Sequence, residues 1–206
     1  MDKRRIVAVT AGLGTPSSSR LLTDAITREV SNQLLKSGMA PDVTIYELRD
    51  YAVDVAYNMT NGFASARLAE VIKDVEDAHL LIAVTPVFTA GMSGMFKSFF
   101  DVLDNKALAG KPVIIGATGG TSRHSMVLDY AMRPMFAYLK ADVLLTSIFA
   151  APEDWGDSEA TSLSDRIARL SIEAVEKVRH AVVSRPVADP EVSLPFEQLL
   201  ANITGR

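Results

Sequence analysis

The chain has 206 residues, of which 48% are hydrophobic, so it is long enough to bury one substantial core and too apolar to be a disordered chain. Its 21 Lys and Arg residues against 25 Asp and Glu residues give a formal net charge of −4, and no basic cluster indicates a nucleic-acid partner. Because the chain contains no cysteine, disulfides, thiolate metal sites and cysteine nucleophiles are excluded.

The lengths of the apolar runs and the amino-terminal sequence bear on where the protein resides. No apolar run is long and uninterrupted enough to predict a transmembrane helix. The amino terminus, MDKRRIVAVTAG, has too short an apolar stretch for a signal peptide and lacks a suitable small-residue cleavage site. We therefore expect a cytoplasmic protein without a membrane partner.

The stretch RIVAVTAGLGTPSSSRLL, at 5–22, joins a strand to a helix through a loop. The β-branched run at 6–9 predicts a strand buried on both faces, and a helical pattern begins after the serines. Hydroxyls, flexible glycines and one arginine at a helix start are suited to hold an anion, although the serines could instead only cap the helix. The hydroxyl donors are Thr10, Thr15, Ser17, Ser18 and Ser19, the flexible glycines are Gly12 and Gly14, and the arginine is Arg20.

Strands and helices continue to alternate along the chain. Residues 49–63 fit neither a helical nor a strand period, and we predict a loop there. Pro134 is expected to kink or restart the helix that contains it. Apolar spacing predicts helices over 19–37, 64–78, 93–104, 126–140 and 162–183, and strands over 43–48, 79–85, 112–118 and 142–150.

Several side chains have two open interpretations. Tyr57 and Phe63 either fill the edge of the local core or border a ligand or a second subunit. Lys97 and Asp101, four residues apart on a predicted helix, either pair on its surface or reach across an oligomer interface. Trp155 is interpreted as a packing or interface residue.

Five strands alternating with five helices predict an α/β fold, a flavodoxin-like doubly wound parallel sheet in the order 2-1-3-4-5. In this order the loops after strands 1, 3 and 4 meet at one edge of the sheet. We call these the first loop (11–20), the second loop (85–91) and the third loop (118–124). One anion-binding loop and two loops of small residues suit a mononucleotide with a flat ring, such as FMN.

The carboxyl-terminal end of the chain is less regular. We assign residues 1–184 to the flavodoxin-like domain and 185–206 to a C-terminal tail. The weak apolar run at 194–203 either docks on a neighbour or is poorly ordered.

Other kinds of site are not supported. The chain has no GxxxxGK[ST], GxGxxG or GxSxG motif, and the end of its first strand lacks the carboxylates of a phosphoacceptor receiver domain. The three histidines show no metal-ligand spacing, so no metal is predicted. His79 lies at the N-terminal end of its strand and is interpreted as structural.

Three motifs give the sequence a family resemblance. PSSSRLL at 16–22, TPVF at 85–88 and ATGG at 117–120 together resemble the NAD(P)H-dependent FMN reductases, and more narrowly the subgroup paired with luciferase-like flavin monooxygenases. Where many such reductases have Ser and Arg, this chain has Gly12 and Gly14, which leaves fewer phosphate ligands. The resemblance implies that Ser17, Ser19 and Arg20 hold the FMN phosphate, that Pro86, Val87, Phe88 and Thr89 border the ring and ribityl chain, and that Thr118, Gly119 and Gly120 face the pyrimidine edge.

The resemblance implies that NAD(P)H reduces FMN, which then stays bound for a second acceptor or leaves for a monooxygenase partner. Because hydride passes from nicotinamide C4 to flavin N5, the protein stacks and orients the cofactors, and no catalytic side chain is predicted. His124 either caps the following helix or acts against the flavin carbonyl or the nicotinamide. A flavin-binding electron carrier and a quinone or azo-dye reductase are the alternatives, and a homo-oligomer, dimer or tetramer, is expected.

Overall fold

The computed structural model describes residues 2–155 and 163–181. Among its helices none combines the length and apolarity needed to cross a bilayer. The strands are β1 (Asp2–Thr10), β2 (Met39–Glu47), β3 (Leu80–Phe88), β4 (Gly91–Met92), β5 (Pro112–Thr118), β6 (Asp142–Val143) and β7 (Ile148–Ala150). The α-helices are α1 (Ser18–Lys36), α2 (Ala52–Asn61), α3 (Ala66–Glu76), α4 (Gly94–Asp101), α5 (Arg133–Tyr138) and α6 (Leu163–His180).

The strands form one sheet in the order β2-β1-β3-β5-β6, and each neighbouring pair in this order is parallel. The short strand β4 pairs antiparallel with β3, and β7 pairs parallel with β5. The predicted flavodoxin-like order 2-1-3-4-5 is confirmed, because β5 is the predicted fourth strand and both β6 and β7 lie within the predicted fifth. The carboxyl ends of β1, β3 and β5 therefore share one edge of the sheet.

The predicted fifth strand, 142–150, is interrupted in its middle. There the backbone N–H groups of Leu145 and Thr146 donate to the Glu173 carboxylate, at 2.6 and 3.0 Å. A side chain from α6 thus replaces the neighbouring strand as hydrogen-bond acceptor. Pairing with β5 resumes only at β7.

Side chains of the central strands alternate between two cores. In β1, Val7 and Val9 pack in the core formed with α2 to α5, whereas Ile6 and Ala8 pack in the core formed with α1 and α6. β3 and β5 also contribute to both cores. Helices thus cover both faces of the sheet, which explains the uninterrupted apolar runs in these strands.

The prediction of a loop over 49–63 is wrong, because most of this segment is helical. A 3₁₀ turn at 48–51 leads into α2, which ends where Gly62 adopts a positive φ of 79°. Packing of the buried Val55 stabilises a helix whose local pattern is weak. Tyr57 and Phe63 pack edge to face, 5.4 Å between ring centroids, and both remain exposed, so they do not fill the core.

Other element boundaries differ from the predictions in smaller ways. β2 begins at Met39, not at residue 43, because its first residues pair with the start of β1; Pro41 is tolerated there because β2 is an edge strand. Pro134 lies in the first turn of α5, directly after a π-helical turn at Leu128–Met132, so the predicted restart is confirmed. The predicted tail, 185–206, lies outside the described residues.

Candidate active site

A cavity of about 490 Å³ opens at the carboxyl ends of β1, β3 and β5, and this volume is usual for a small-molecule site. The three loops that were predicted to converge do line one cavity, and a fourth segment, after β7, completes it. The lining residues are Gly12, Leu13, Gly14, Pro16, Ser17, Ser18, Ser19, Pro86, Val87, Phe88, Thr118, Gly119, Gly120, Ala150, Ala151, Pro152 and Trp155.

The first loop folds back onto the start of its own helix. Ser17 caps α1, because its Oγ accepts a hydrogen bond from the Arg20 N–H at 3.2 Å. The capping interpretation is therefore confirmed for Ser17, whose hydroxyl proton can still be donated elsewhere. A Cβ on Gly12 would come within 1.8 Å of Ser17 Oγ, so only glycine permits this tight approach.

Hydrogen bonds join the first loop to the two neighbouring strand ends. Ser19 Oγ and Thr118 Oγ1 lie 2.7 Å apart, and both side chains are buried. The Ala11 N–H donates to the Val84 carbonyl at 3.0 Å. Thr10 Oγ1, also buried, has no hydrogen-bond partner among residues 2–155 and 163–181.

The second loop is a hairpin that connects β3 to β4. At its base, Thr85 Oγ1 accepts a hydrogen bond from the Ser93 N–H at 3.0 Å. At its tip, Thr89 and Ala90 have φ angles of 48° and 62°, a left-handed conformation that costs a non-glycine residue about 1 kcal/mol. The hairpin therefore holds Phe88, which is half exposed, at the mouth of the cavity in a defined turn.

The two glycines of the third loop have different roles. The Gly119 N–H donates to the Ala150 carbonyl at 3.1 Å, and a Cβ on Gly119 would come within 2.8 Å of Phe149 Cζ, so this glycine serves internal packing. Gly120 lines the cavity, and the position of its missing Cβ has nothing within 4 Å. Its missing side chain therefore leaves space for a ligand.

Most of the predicted site residues line the cavity, but Thr10, Arg20, Thr89 and His124 do not. His124 is exposed and ends a short 3₁₀ turn at 122–124. The roles predicted for these residues toward a bound flavin remain predictions.

The Arg20 guanidinium contacts two carboxylates outside the cavity. Its Nε donates to Asp24 Oδ1 and its Nη1 to Glu47 Oε1, each at 2.8 Å. The hydrogen bond to Asp24, and next the charges of Asp24 and Glu47, raise the pKa of Arg20 against the opposing effect of burial. This side chain is therefore charged but already paired.

No charged side chain lines the cavity in the part of the chain that the structure describes. Its polar groups are the hydroxyls of Ser17, Ser18, Ser19 and Thr118, which lie around the first turn of α1. The unpaired N–H groups and the dipole of that helix end supply a partial positive charge. An anion at this point would meet neutral donors only.

The sequence analysis missed the segment after β7, although it also follows a strand at the same sheet edge. Trp155, interpreted as a packing or interface residue, lines the cavity. Asp154 stabilises the turn that carries Trp155, because the Asp154 carboxylate accepts a hydrogen bond from the Ala151 N–H at 2.8 Å and pairs with Arg166. The position of this segment, directly after the last predicted strand, was the sequence signal that could have identified it.

Comparison with known proteins decides the family. The sequence model of a family described as NADPH-dependent FMN reductase matches residues 4–156. The chain belongs to this family. It is therefore an NAD(P)H:FMN oxidoreductase, and its cofactors are FMN and NAD(P)H.

Relatives of this FMN reductase include proteins with both nicotinamide preferences. It is 34% identical to an FMN reductase (NADPH) of Pseudomonas aeruginosa, over 77% of this chain and 82% of that one. It is also 34% identical to the NADH-dependent FMN reductase SfnE of Pseudomonas putida, over 82% and 88% of the two chains.

Solved structures similar to this reductase support the same family and fold. An oxidoreductase from Corynebacterium diphtheriae is 40% identical with a TM-score of 0.84, covering 87% of this chain and 98% of that one. The apo form of the NADH:FMN oxidoreductase EMOB is 25% identical with a TM-score of 0.70, covering 89% and 92%. A flavodoxin from the domain Archaea, at 17% identity and TM-score 0.54, shares the fold alone.

Proposed function

We propose that the cavity binds FMN as an exchangeable substrate, and that reduced FMN leaves to serve a flavin-dependent monooxygenase. The observation that carries this proposal is that no charged side chain lines the cavity among residues 2–155 and 163–181. Arginine binds a phosphate through paired N–H groups that carry a full positive charge, which hydroxyls and a helix end lack. A phosphate held by hydroxyls and a helix end is therefore bound more weakly than one held by arginine, which favours exchange.

The shape and chemistry of the cavity fit the parts of FMN. The serine hydroxyls at the start of α1 suit the phosphate. Val87 and Phe88 on one side and Trp155 on another supply apolar surface for a flat ring, and the open space at Gly120 gives the ring room. We assign the ring to the space between the second and third loops on this basis.

The protein's share of the reaction is binding and orientation. When bound, FMN would supply flavin N5 as the acceptor of the hydride that NAD(P)H donates. Phe88 and Trp155 are positioned to limit water at the cavity mouth, and the rigid hairpin base at Thr85 holds the ring-facing wall in place. Hydride transfer itself requires no proton donor at the cavity.

We test exchange with purified protein in two steps. After gel filtration, little FMN should remain with the protein, and NAD(P)H oxidation should then depend on added FMN, rising with FMN concentration to saturation. One FMN per chain surviving gel filtration, with a rate indifferent to added FMN, would overturn the proposal. That result would instead favour retained FMN with a second acceptor.

The monooxygenase step needs its own measurement. When a flavin-dependent monooxygenase that lacks its own reductase is added with its substrate, product should form only if this reductase, FMN and NAD(P)H are all present. As a control, chemically reduced FMN is added to the monooxygenase directly. If this free FMN supports product formation and the reductase does not, release of reduced FMN is excluded.

The expected homo-oligomer is tested separately by sedimentation of the full chain.

A further inference from the structure

One arginine outside the cavity holds the exposed part of the first loop. Arg49 lies in the 3₁₀ turn after β2. Its Nη1 donates to the Gly14 carbonyl at 2.6 Å and to Thr15 Oγ1 at 2.7 Å. These residues immediately precede Pro16 and Ser17, which line the cavity, so the guanidinium fixes the turn that leads into the cap of α1.

The Glu47 carboxylate lies closer to this arginine than that of Asp50, which is 3.9 Å from Arg49 Nε, and Glu47 also links Arg49 to α1. Glu47, the last residue of β2, accepts from Arg49 Nη2 at 2.7 Å through Oε2 and from Arg20 Nη1 at 2.8 Å through Oε1. Its side chain is largely buried, and it pairs in the sheet with Thr10, where the first loop begins. Planar guanidinium groups bind carboxylates in a fixed geometry, so Arg49 is held in one orientation on the loop.

We propose that Arg49, oriented by Glu47, is a positioning residue for the phosphate end of FMN. The inference rests on the proposed function, because it takes the start of α1 as the phosphate site. Residues 13–16 are exposed and contribute little to either core. Without Arg49 their backbone would have to be ordered when FMN binds, and that ordering reduces affinity.

The proposed role predicts an effect confined to the phosphate. Riboflavin has the same ring and ribityl chain as FMN but no phosphate. If Arg49 only supported the fold, its loss would weaken both flavins alike. If it positions the first loop, the affinity for FMN falls and the affinity for riboflavin does not.

The chain offers a matched control in Arg133. Its side chain is 30% exposed, against 28% for Arg49. It likewise joins a carboxylate to a backbone carbonyl, since Nε donates to Asp129 Oδ1 at 3.2 Å and Nη1 to the Leu144 carbonyl at 3.0 Å. Arg133 does not line the cavity, so its substitution measures the general cost of losing such an arginine.

The experiment compares Arg49→Met, Arg49→Lys and Arg133→Met with the wild type, by equilibrium titration with FMN and with riboflavin. Arg49→Met should raise the Kd for FMN about ten- to a hundredfold, the scale on which misplaced binding groups act. Its Kd for riboflavin should stay within about twofold, as should both values for Arg133→Met. Arg49→Lys keeps the positive charge but not the planar guanidinium, so its Kd for FMN should lie between those of the wild type and Arg49→Met.

Steady-state kinetics complete the test. The KM for FMN should rise with the Kd in Arg49→Met while kcat at saturating FMN is retained. An unchanged FMN Kd in Arg49→Met, or equal weakening of FMN and riboflavin, overturns the proposal; if Arg49→Met does not fold, the same comparison is made with Arg49→Lys. Gly120→Val tests the proposed function separately from the role of Arg49. If Gly120→Val leaves FMN binding intact, the assignment of FMN to this cavity fails. If Gly120→Val blocks FMN binding but Arg49→Met does not weaken it, only the role of Arg49 fails.

Discussion

The hydroxyls of Ser19 and Thr118 lie 2.7 Å apart, both buried, and join the first turn of α1 to the end of β5. Ser19→Ala would leave the Thr118 hydroxyl buried without this partner, which costs about 1–3 kcal/mol of unfolding free energy. Thr118→Val in the same background should then cost little more, so a double-mutant cycle should show coupling. Urea unfolding gives the free energy of unfolding of the two single variants and of the double variant.

A control for this pair is Ser31→Ala on the same helix. Ser31 Oγ donates to the Thr27 carbonyl at 2.7 Å, away from the cavity. Its loss should change the unfolding free energy by no more than about 0.5 kcal/mol. Additive effects of Ser19→Ala and Thr118→Val would mean that the two hydroxyls do not depend on each other.

Gly120 tests the location of the flavin. Gly120→Val places side-chain atoms in open cavity space without displacing protein atoms at Cβ, so the fold should persist while the FMN Kd rises about tenfold or more. Gly94→Ala is the control, because its Cβ position is also open and it does not line the cavity. FMN titration together with thermal unfolding separates loss of binding from loss of structure.

Trp155 gives a direct signal of binding, because it is the only tryptophan in the chain and it lines the cavity. Its fluorescence should fall in a saturable manner as FMN is added. Trp155→Phe keeps an aromatic wall and should bind FMN nearly as well, whereas Trp155→Ala should weaken binding by about 1 kcal/mol. Fluorescence that does not respond to FMN would place the flavin away from this residue.

His79 should make stability depend on pH. Its Nδ1 accepts from the Arg5 N–H at 3.1 Å, and burial, with the nearby Arg4, lowers the pKa of His79 below its usual value. In the pH range below about 6.5 the unfolded chain therefore binds a proton that the folded chain does not, and stability falls as the pH is lowered through this window.

Substitution isolates the contribution of His79. His79→Gln keeps an acceptor but does not titrate, so the fall in unfolding free energy between about pH 7 and pH 5 should be smaller than in the wild type. Equal slopes in the two proteins would show that His79 does not contribute.

Much of the fold could be predicted because its signals are local. The apolar run in β1 alternates between two cores, and small residues follow β1 and β5 where the cavity forms, whereas β3 itself contributes Pro86, Val87 and Phe88. Convergence of the three loops followed from topology alone. The small residues at 119–120 could also be read from the sequence, but only the structure shows that Gly119 packs against Phe149 whereas Gly120 faces open space.

The missed features depend on partners distant in sequence. Arg20 is paired with Glu47, and Arg49 reaches Gly14, contacts that no local pattern indicates. Likewise α2 is stabilised by packing of Val55, and Glu173 of α6 interrupts the predicted fifth strand. Such effects are tertiary, so only the folded chain reveals them.

The neutral lining of the cavity has a further consequence. Ion pairs weaken as ionic strength rises, whereas hydrogen bonds from hydroxyls and apolar contacts are screened much less. With no charged side chain in the described lining, only the helix end is screened, so flavin affinity should fall less steeply with salt than at a phosphate site built from arginine. A reductase built in this way keeps more of its affinity for FMN as the ionic strength of its surroundings rises.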